Sequence, residues 1–448
     1  MNKSRQRWGN LRSSFWFMPS LIVVDSIVVA LALIEADSVW GDHLRAQWPR
    51  LFGVGAEGAR QILSTLAGSM MTVMGITFSM TLLALTLASS QYTSRILRNF
   101  MRSRVTQVTL GIFAGIFVYC LIVLRTIHGG EAEFVPSLAV FFAFVMAIGG
   151  VGVLIFFFHH IASSIQASSI IASIAHETIA AIDRLFPEKL GHGPDEDEGK
   201  DQVLRSLDER TWYAVPAAVS GYVQSVDNNA LLNFARDRKT IVRMERGIGA
   251  FVVQNTALAS LALTYPPDQE MIAALNGAYS LSRYRTVEQD AAFGIRQIVD
   301  MALKALCPGV NDTSTAVMCV DYLTAILARL TVRQFPPVHR YDGEALRAIT
   351  MAPTFDSLLA EAFDQIRSSA EGNVAIMARM LGAIHTIASL TVSPPHRRAL
   401  DEQVQWIAEL ADRTIESTHD RARMETRLKH VRDALEAEPA LCPGQEQA

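Results

Sequence analysis

The sequence predicts an α-helical integral membrane domain of four transmembrane helices, followed by an α+β cytoplasmic domain in which a small β-barrel-like module precedes a helical bundle. Three observations support this fold class. Hydrophobic residues make up 50% of the 448-residue chain, and they are concentrated before about residue 162. Basic segments alternate with mixed or acidic segments between the apolar stretches. After residue 211, short aromatic and β-branched runs appear, and amphipathic helical patterns follow them.

Four stretches of the N-terminal region are long and apolar enough to span a bilayer. A helix needs about 20 predominantly apolar residues to cross the hydrocarbon core. The basic N-terminus has no cleavage-site pattern after its apolar run, so we interpret the first stretch as an uncleaved membrane helix. The four predicted spans cover residues 15–33, 63–89, 109–127 and 135–161.

The charges that flank these stretches predict the orientation of the chain. Cytoplasmic loops of membrane proteins are enriched in Lys and Arg. Basic residues precede the first span and lie between the second and third, whereas the loop before the fourth carries Glu131 and Glu133. We therefore expect a multi-pass protein of the bacterial inner (plasma) membrane with both termini in the cytoplasm. The basic residues are Lys3, Arg5, Arg7 and Arg12, and then Arg95, Arg98, Arg102 and Arg104.

The second span carries small and hydroxyl residues along one face. Such faces let membrane helices approach closely, and their hydroxyls can form hydrogen bonds between helices. Two interpretations stay open: this face packs tightly within the four-helix unit or between subunits, or it lines a pore or substrate path. Leu83 interrupts the face, which otherwise consists of Gly68, Thr72, Gly75, Ser79, Thr86 and Ser90. Similar spacings of small residues occur in the third span, at Gly111 and Gly115, and in the fourth, at Ala139, Ala143, Ala147 and Gly150.

Asp25 lies midway through the first span. An ionisable residue at that depth is energetically costly and is often functional. The alternative is a neutral, protonated Asp25 that is hydrogen-bonded to a Ser or Thr of the second span.

The pattern after the fourth span predicts the remaining domains. Apolar residues continue at helical spacing through Phe186, which predicts a helical neck at 163–187 that continues the fourth helix out of the bilayer. We further predict an acidic linker at 188–210, a small β-rich module at 211–265, a helical cytoplasmic domain at 266–438 and a disordered tail at 439–448. The transmembrane domain itself is predicted to span 1–162.

Polar residues gather around the turn "ALCPGVNDTSTA" at 305–316. Arginines could hold a carboxylate or phosphate near the start of the following helix, and Asp290 and Asp312 could instead hold a cation. A third interpretation is that these charges pair with one another and form a structural latch. The candidate residues of this cytoplasmic region are Arg285, Asp290, Arg296, Asn311, Asp312 and Thr315.

Composition and motifs argue against several classes of function. The formal net charge of −4 gives no indication of nucleic-acid binding. None of the four cysteines forms a Cys-x-x-Cys pair, and the sequence contains no P-loop, His-Glu-x-x-His, EF-hand or nucleophile-elbow motif. These absences argue against a familiar hydrolase or NTPase but do not exclude catalysis, so a membrane enzyme stays a third alternative. We predict no metal site and no cofactor, and we assign no catalytic residue.

Three long segments resemble one bacterial family. These are "GITFSMTLLALTLASSQYTSRILRNFM" in the second span and its exit, "SGYVQSVD", and "RTVEQDAAFGIRQIVDMALKALCPGVNDTSTA". They are similar to the predicted membrane proteins grouped as domain of unknown function 2254, over nearly all of the chain. The family pattern commonly has Ser-Pro-Gly and Asn-Asp-Pro at the turn, where this sequence has Cys307 and Thr313. The resemblance implies an integral membrane protein and implies no activity.

Two functional hypotheses follow. The first is a homo-oligomeric, channel-like or transport-like membrane protein whose cytoplasmic domain gates or senses. The second is a non-conducting, membrane-tethered sensor or scaffold that binds an anionic ligand on the cytoplasmic domain. The expected partners are the lipid bilayer, further copies of the chain, and an ion or small anionic ligand.

Overall fold

The chain divides into two compact units, Met1–Ser169 and Ile170–Ala448. The computed structural model describes residues 16–48, 52, 54–91, 104–128, 134–164, 166–186, 207 and 210–437, although the side chains of 40–47 and 88–91 are not described. The predicted tail at 439–448, most of the predicted linker at 188–210 and most of the orienting charges lie outside these residues.

In the described part of the first unit, four long helices correspond to the four predicted apolar stretches. The third helix lies at the centre of this unit and buries Phe113 and Tyr119. The first helix extends well beyond the predicted end of its span, because apolar composition marks the membrane crossing rather than the end of a helix. Near its end, buried Asp37 accepts a hydrogen bond from Leu138 N–H at 3.0 Å, at the start of the fourth helix. The helices are α1 (Phe17–Gln47), α2 (Ala56–Gln91), α3 (Arg104–Thr126) and α4 (Ser137–Ser164).

Small residues of α3 and α4 permit close helix packing. A Cβ atom at Gly111 would lie 2.7 Å from Ile22 Cδ1 and 3.0 Å from Pro19 Cα, so α1 and α3 can approach only because this residue is glycine. On α4, the predicted small face (Ala139, Ala143, Ala147 and Gly150) is buried in the same unit.

Five helices of the described residues are long and apolar enough to cross a membrane. Four of them are α1–α4, and the fifth is α9 (Thr313–Thr331) of the second unit. There, α9 packs against several other helices of the second unit. Length and composition therefore do not confirm the predicted count of four spans.

Where one continuous neck helix is predicted, the structure describes two helices: α4 ends at Ser164, and α5 (Ala167–Leu185) follows. At the junction, Gln166 N–H bonds to Ser163 O at 3.4 Å, one residue closer than in an α-helix. The serine-rich sequence around this point favours such local alternatives to helical hydrogen bonding. The apolar face of α5, including Ile171, Ile174 and Ile182, is buried.

Among the described residues of the second unit, eight strands form two sheets. The five-stranded sheet has the order β1-β5-β3-β8-β7, and the three-stranded sheet has the order β4-β2-β6. All pairs are antiparallel except β3 with β8. Because both strand orders are linear, the barrel-like module is not confirmed. The strands are β1 (Trp212–Pro216), β2 (Gly221–Val226), β3 (Val242–Met244), β4 (Phe251–Val252), β5 (Ala257–Ala262), β6 (Tyr279–Ser282), β7 (His339–Asp342) and β8 (Ala345–Ile349).

Three strands lie where the sequence interpretation had assigned helices only. β6 pairs with β2, and β8 pairs with β3 across a long sequence separation. These strands are short, and pairing partners rather than local alternation determine them. Asp342-Gly343 is a hairpin turn signal that could have revealed β7 and β8, and Gly343 has a φ of +61°.

The other helices of the second unit surround these sheets and form the C-terminal bundle. The last four of them lie inside residues 266–438, where the sequence predicts a helical domain. Side chains cap several helices, including Asp227, Asp290 and Asp312, whereas Ser393 makes no capping hydrogen bond despite its favourable position before Pro394. The helices are α6 (Asn228–Asp237), α7 (Gln269–Ala278), α8 (Ala291–Leu306), α9, α10 (Phe355–Ser368), α11 (Val374–Leu390), α12 (Pro394–Thr414) and α13 (Thr418–Glu436).

The helix α5 is seated on α8 at a contact that only glycine permits. A Cβ atom at Gly294 would lie 2.9 Å from both Cβ and Cγ2 of Thr178. Because Thr178 Cβ is fixed to the backbone, a change of rotamer cannot relieve this overlap. Any larger residue at 294 must therefore push α5 away from α8.

We predict that Gly294→Ala destabilises the protein by about 1–3 kcal/mol, the usual effect of overpacking. Thermal unfolding of the full chain in detergent micelles measures the change. Gly382→Ala is the matched control, because Gly382 lies inside α11 with open space around it. Alanine there should be neutral or stabilising, since it favours helix by about 1 kcal/mol over glycine. Equal unfolding temperatures for the two variants would contradict the proposed α5–α8 contact.

Candidate functional site

The small and hydroxyl face of α2 points away from the rest of its own unit. Gly68, Thr72, Gly75, Ser79 and Thr86 are all exposed, and a Cβ atom at either glycine would meet nothing within 4 Å. Packing inside the four-helix unit therefore does not account for this face. The side chain of Ser90, the last predicted member, lies outside the described residues.

The threonine hydroxyls of this face donate to their own helix. Thr72 Oγ1 donates to Gly68 O at 3.0 Å, and Thr86 Oγ1 donates to Leu82 O at 2.9 Å. The hydroxyl proton of each threonine is thus used, while lone pairs remain on the oxygen. Toward any neighbour, these oxygens offer acceptors rather than donors.

Asp25 is exposed on α1, next to the exposed apolar side chains Val24 and Val28. The predicted alternative was a hydrogen bond from Asp25 to a hydroxyl of α2. Among the described residues, no hydrogen bond or ion pair involves the Asp25 side chain, and therefore none joins it to α2. Its carboxyl group is left facing outward from the unit.

In the second unit, Arg285 and Asp290 form a bidentate ion pair. Arg285 Nε donates to Asp290 Oδ2 at 2.8 Å, and Arg285 Nη2 donates to Asp290 Oδ1 at 3.2 Å. The Asp290 side chain is only 5% exposed, and it also accepts from Phe293 N–H at 3.0 Å as the N-cap of α8. Gly249, with a φ of +84°, crosses directly over the pair: a Cβ atom there would lie 2.5 Å from Asp290 Oδ2.

Arg296 pairs elsewhere, with Asp300 at 2.8 Å on its own helix and with Glu361 of α10 at 3.4 Å. It does not join the Arg285–Asp290 pair through any contact of the described residues.

The turn before α9 is organised by Asp312. This carboxylate accepts from Thr315 N–H at 3.0 Å and from Thr315 Oγ1 at 2.6 Å, which caps the helix. The same hydrogen bonds from Thr315, side chain first and then backbone, lower the pKa of Asp312. Asn311 occupies the left-handed region, with a φ of +50°, and so reverses the chain into the cap.

The six predicted site residues thus fall into three sets: the Arg285–Asp290 pair, Arg296 with its two carboxylates, and the turn at Asn311, Asp312 and Thr315. Within the described part of the chain, no hydrogen bond or ion pair joins one set to another. Their charges and hydrogen-bonding groups are used locally, and the sequence grouping does not translate into one shared pocket. In that same part, no three or more His, Cys, Asp or Glu residues are placed to hold a metal ion.

Sequence reasoning missed an ion-pair cluster that holds α5 to α9. Asp183 of α5 accepts from Arg329 Nε at 2.7 Å and from Arg333 Nη2 at 2.6 Å. The Arg329 guanidinium, with Arg333, holds the pKa of Asp183 below its usual range. Arg333 is buried and also donates to Phe186 O at 3.4 Å. Sequence spacing gives no signal for this cluster, because about 150 residues separate its members.

A cavity of about 460 Å³ was also missed. It lies within the second unit, between the end of α5, strands β2 and β3, the start of α8 and the segment 336–353. Four separated parts of the chain line it, so no local motif marks it.

These features define a membrane protein with several apolar helices in its N-terminal region and an α+β C-terminal unit. The chain belongs to the family described as "Predicted membrane protein (DUF2254)", whose family model matches residues 12–386. The resemblance found in the sequence is thereby confirmed.

Relatives are found in mycobacteria. The chain is 30% identical over 401 residues to uncharacterized proteins of Mycobacterium tuberculosis and of Mycobacterium bovis, and the matched region covers 86% of this chain and 74% of each relative. No solved structure matches the chain.

We predict that Arg285→Ala destabilises the second unit by roughly 3–5 kcal/mol, because it leaves the buried Asp290 carboxylate without its partner. The readout is thermal or urea unfolding of the full chain. Arg413→Ala is the control, since the Arg413–Glu371 pair is 70% and 64% exposed and such pairs contribute about 0–1 kcal/mol. If both variants lose equally little stability, the Arg285–Asp290 pair does not act as a structural latch.

The Asp312 cap predicts a pH-dependent stability. Its pKa is lowered in the folded protein, so its contribution is present above the unfolded value of about 3.9 and is lost as pH falls through the lower folded value. At neutral pH, Asp312→Ala should cost about 1 kcal/mol, the usual loss for a helix cap. The difference from wild type, measured in unfolding curves at successive pH values, should shrink below about pH 4. A difference that stays constant down to the acid limit would exclude the carboxylate as its source.

Proposed function

We propose that the protein is a homo-oligomeric, multi-pass protein of the bacterial inner membrane that forms a channel-like or transport-like path. In this proposal, the outward face of α2 meets other copies of the chain and lines the path. The α+β unit acts as a cytoplasmic gate or sensor, and we assign it no enzymatic activity. The observation that carries the proposal is the exposure of the small and hydroxyl face of α2 within a single chain.

The energetics of membrane helices favour a second copy as the partner of this face. Lipid tails are as apolar as aliphatic side chains, so helices associate through close packing and hydrogen bonds rather than through the hydrophobic effect. Small residues that face lipid contribute neither close helix packing nor hydrogen bonds between helices. Against another helix, the face of Gly68, Thr72 and Gly75 permits the close approach that Gly111 already provides between α1 and α3.

Asp25 independently favours assembly. A carboxylate at the centre of a membrane helix costs roughly 2.5–3.5 kcal/mol on insertion scales. Such residues generally face a bundle interior or a water-filled cavity. Because Asp25 faces outward from its own unit, an adjoining subunit or an aqueous path would have to provide that environment.

The hydroxyl geometry favours a cation as the species conducted. Thr72 and Thr86 each use their proton within α2, so their oxygens present lone pairs outward. Oxygen lone pairs replace the hydration of a cation, whereas an anion requires donors. Asp25 adds a negative charge to the same membrane unit.

The topology we propose uses α1–α4 as the spans and keeps both termini in the cytoplasm. The apolar helix α9 would then belong to the cytoplasmic unit. Its own pairings support that assignment: Asp321 pairs with Arg379 of α11, and Arg329 pairs with Asp183.

A second candidate function is a non-conducting, membrane-tethered sensor or scaffold. The observation that favours it is the attachment of α5, which follows α4 along the chain, to the α+β unit through Thr178 and Asp183. In the channel and in the sensor alike, a change in the α+β unit that moved α5 would be transmitted along the chain to α4, which precedes it.

Reconstitution of the purified full chain into liposomes tests the proposal. We expect self-association in the bilayer, and K⁺ or Na⁺ flux above that of protein-free liposomes under voltage or pH steps. Gly75→Leu should weaken self-association or flux roughly tenfold, the effect of about 1.4 kcal/mol. Leucine would fill the close-approach surface of α2.

Gly149→Leu is the control, because Gly149 is an exposed glycine of α4 that also has nothing within 4 Å. It should leave association and flux unchanged. A monomeric wild type without flux would overturn the proposal. Association without flux would favour the non-conducting sensor. Flux of Cl⁻ alone would contradict the proposed cation path.

A further inference from the structure

We propose that the cavity of about 460 Å³ in the second unit binds a small organic anion with an apolar body, and that Arg340 recognises its anionic group. The proposal deepens the sensing role given to the α+β unit and rests on that role for its biological consequence. The binding itself is independent of conduction.

The size and lining of the cavity fit a small molecule. Ligand sites usually measure about 300–1,000 Å³, with mainly apolar walls and a few polar groups that fix orientation. Here the apolar wall includes Phe186, Met244, Ile248 and Met351. Ile248 and Met351 keep part of their surface exposed, so solvent reaches this wall.

The charges of the cavity favour an anion. Asp290 lines it, but its carboxylate is already bound by Arg285 and by Phe293 N–H. Gln289 also lines it, and its amide oxygen accepts from Val226 N–H at 3.3 Å. The principal acceptors at this end of the cavity are therefore engaged by the protein itself.

Arg340 is the cationic residue of the lining. Three other arginines of this unit have carboxylate partners: Arg236 pairs with Asp342, Arg243 with Glu245 and Arg285 with Asp290. Among the described residues, Arg340 forms no ion pair. A half-buried guanidinium with five donors and no anionic partner is suited to bind a carboxylate, phosphate or sulfonate.

The start of α8 also favours an anionic ligand. Ala291 and Ala292 are its first residues, and both line the cavity. Backbone N–H groups in the first turn have no partner within the helix, and the helix dipole makes this end positive. These donors act together with Arg340, which supplies the full charge.

An occupant of the cavity would touch the end of α5. Leu185 and Phe186 line the cavity, and Phe186 also packs edge-to-face on Phe335 at 5.1 Å and accepts a hydrogen bond from Arg333. Arg333 in turn holds Asp183. The ligand would therefore contact the residues that fix the position of α5.

The test measures binding of para-trifluoromethylbenzoate to the full chain in phosphatidylcholine nanodiscs by fluorine NMR. Empty nanodiscs give the lipid background, and para-trifluoromethylbenzamide is the neutral counterpart of the probe. We expect the acid to bind more tightly than the amide. Arg340→Gln should weaken binding of the acid roughly tenfold, the usual loss for a hydrogen bond to a charged group, and should leave binding of the amide unchanged.

Three further variants sharpen the result. Arg340→Lys keeps the charge and should retain most of the affinity for the acid. Arg398→Gln makes the same change at an exposed arginine of α12 outside the cavity and should have no effect. Ala292→Leu fills part of the cavity from the helical turn of α8 and should weaken acid and amide alike.

Any one of three outcomes would overturn the proposed site. These are equal binding of acid and amide, unchanged binding of the acid to Arg340→Gln, and binding no greater than to empty nanodiscs. A loss of flux in liposomes does not affect these measurements. Conversely, failure of the probe to bind does not affect the test of the channel. The two proposals can therefore fail separately.

Discussion

The membrane unit depends on close approach between helix backbones, as in the contact between α1 and α3 at Gly111. Within lipid, apolar side chains gain little from leaving one apolar environment for another, so helices pack where their backbones can come close. Glycines on α3 and the alanine face of α4 provide that closeness around the buried Phe113 and Tyr119. The small face of α2 follows the same rule, but no partner for it lies among the described residues of its own chain. One principle therefore explains both what holds the unit together and why we infer a second copy.

The second unit depends on a different contact, the seating of α5 on α8 and α9. Gly294 removes the side chain that would separate α5 from α8, and Asp183 adds charge-assisted hydrogen bonds from two arginines. The cavity opens at the end of this same helix, where Phe186 belongs both to the wall and to the α5 attachment. Attachment and cavity are thus parts of one structural region, which is the physical basis for assigning a sensing role to the unit.

Periodicity predicted the helices well, because a helix is determined largely by residues three and four positions apart. The last four helices and the caps at Asp227 and Asp312 follow from such local signals. Strands β6 and β8 do not, since each exists through pairing with a strand far away in the sequence. The small and hydroxyl face of α2 is identifiable from the sequence, but periodicity does not show which surface packs against that face. The pairing of Arg285 with Asp290 is one of three alternatives that the sequence leaves open, and the folded structure shows this pair. Arg340 and the cavity had no sequence signal, because their neighbours come from four segments.

The parallel pairing of β3 with β8 has a consequence for biosynthesis. Val242 lies beside Ala348, so the central strand β3 keeps an unpaired edge until the chain has been synthesised past residue 349. Long-range pairing of this kind slows folding, and open strand edges favour association between chains. Domains generally fold as units, and the N-terminal part folds first during synthesis. The membrane helices therefore precede the completion of the five-stranded sheet, and the nascent sheet must be kept apart from neighbouring chains until β8 arrives. In the oligomer that we propose, the helices of the first unit would therefore be available to meet before the α+β unit is complete.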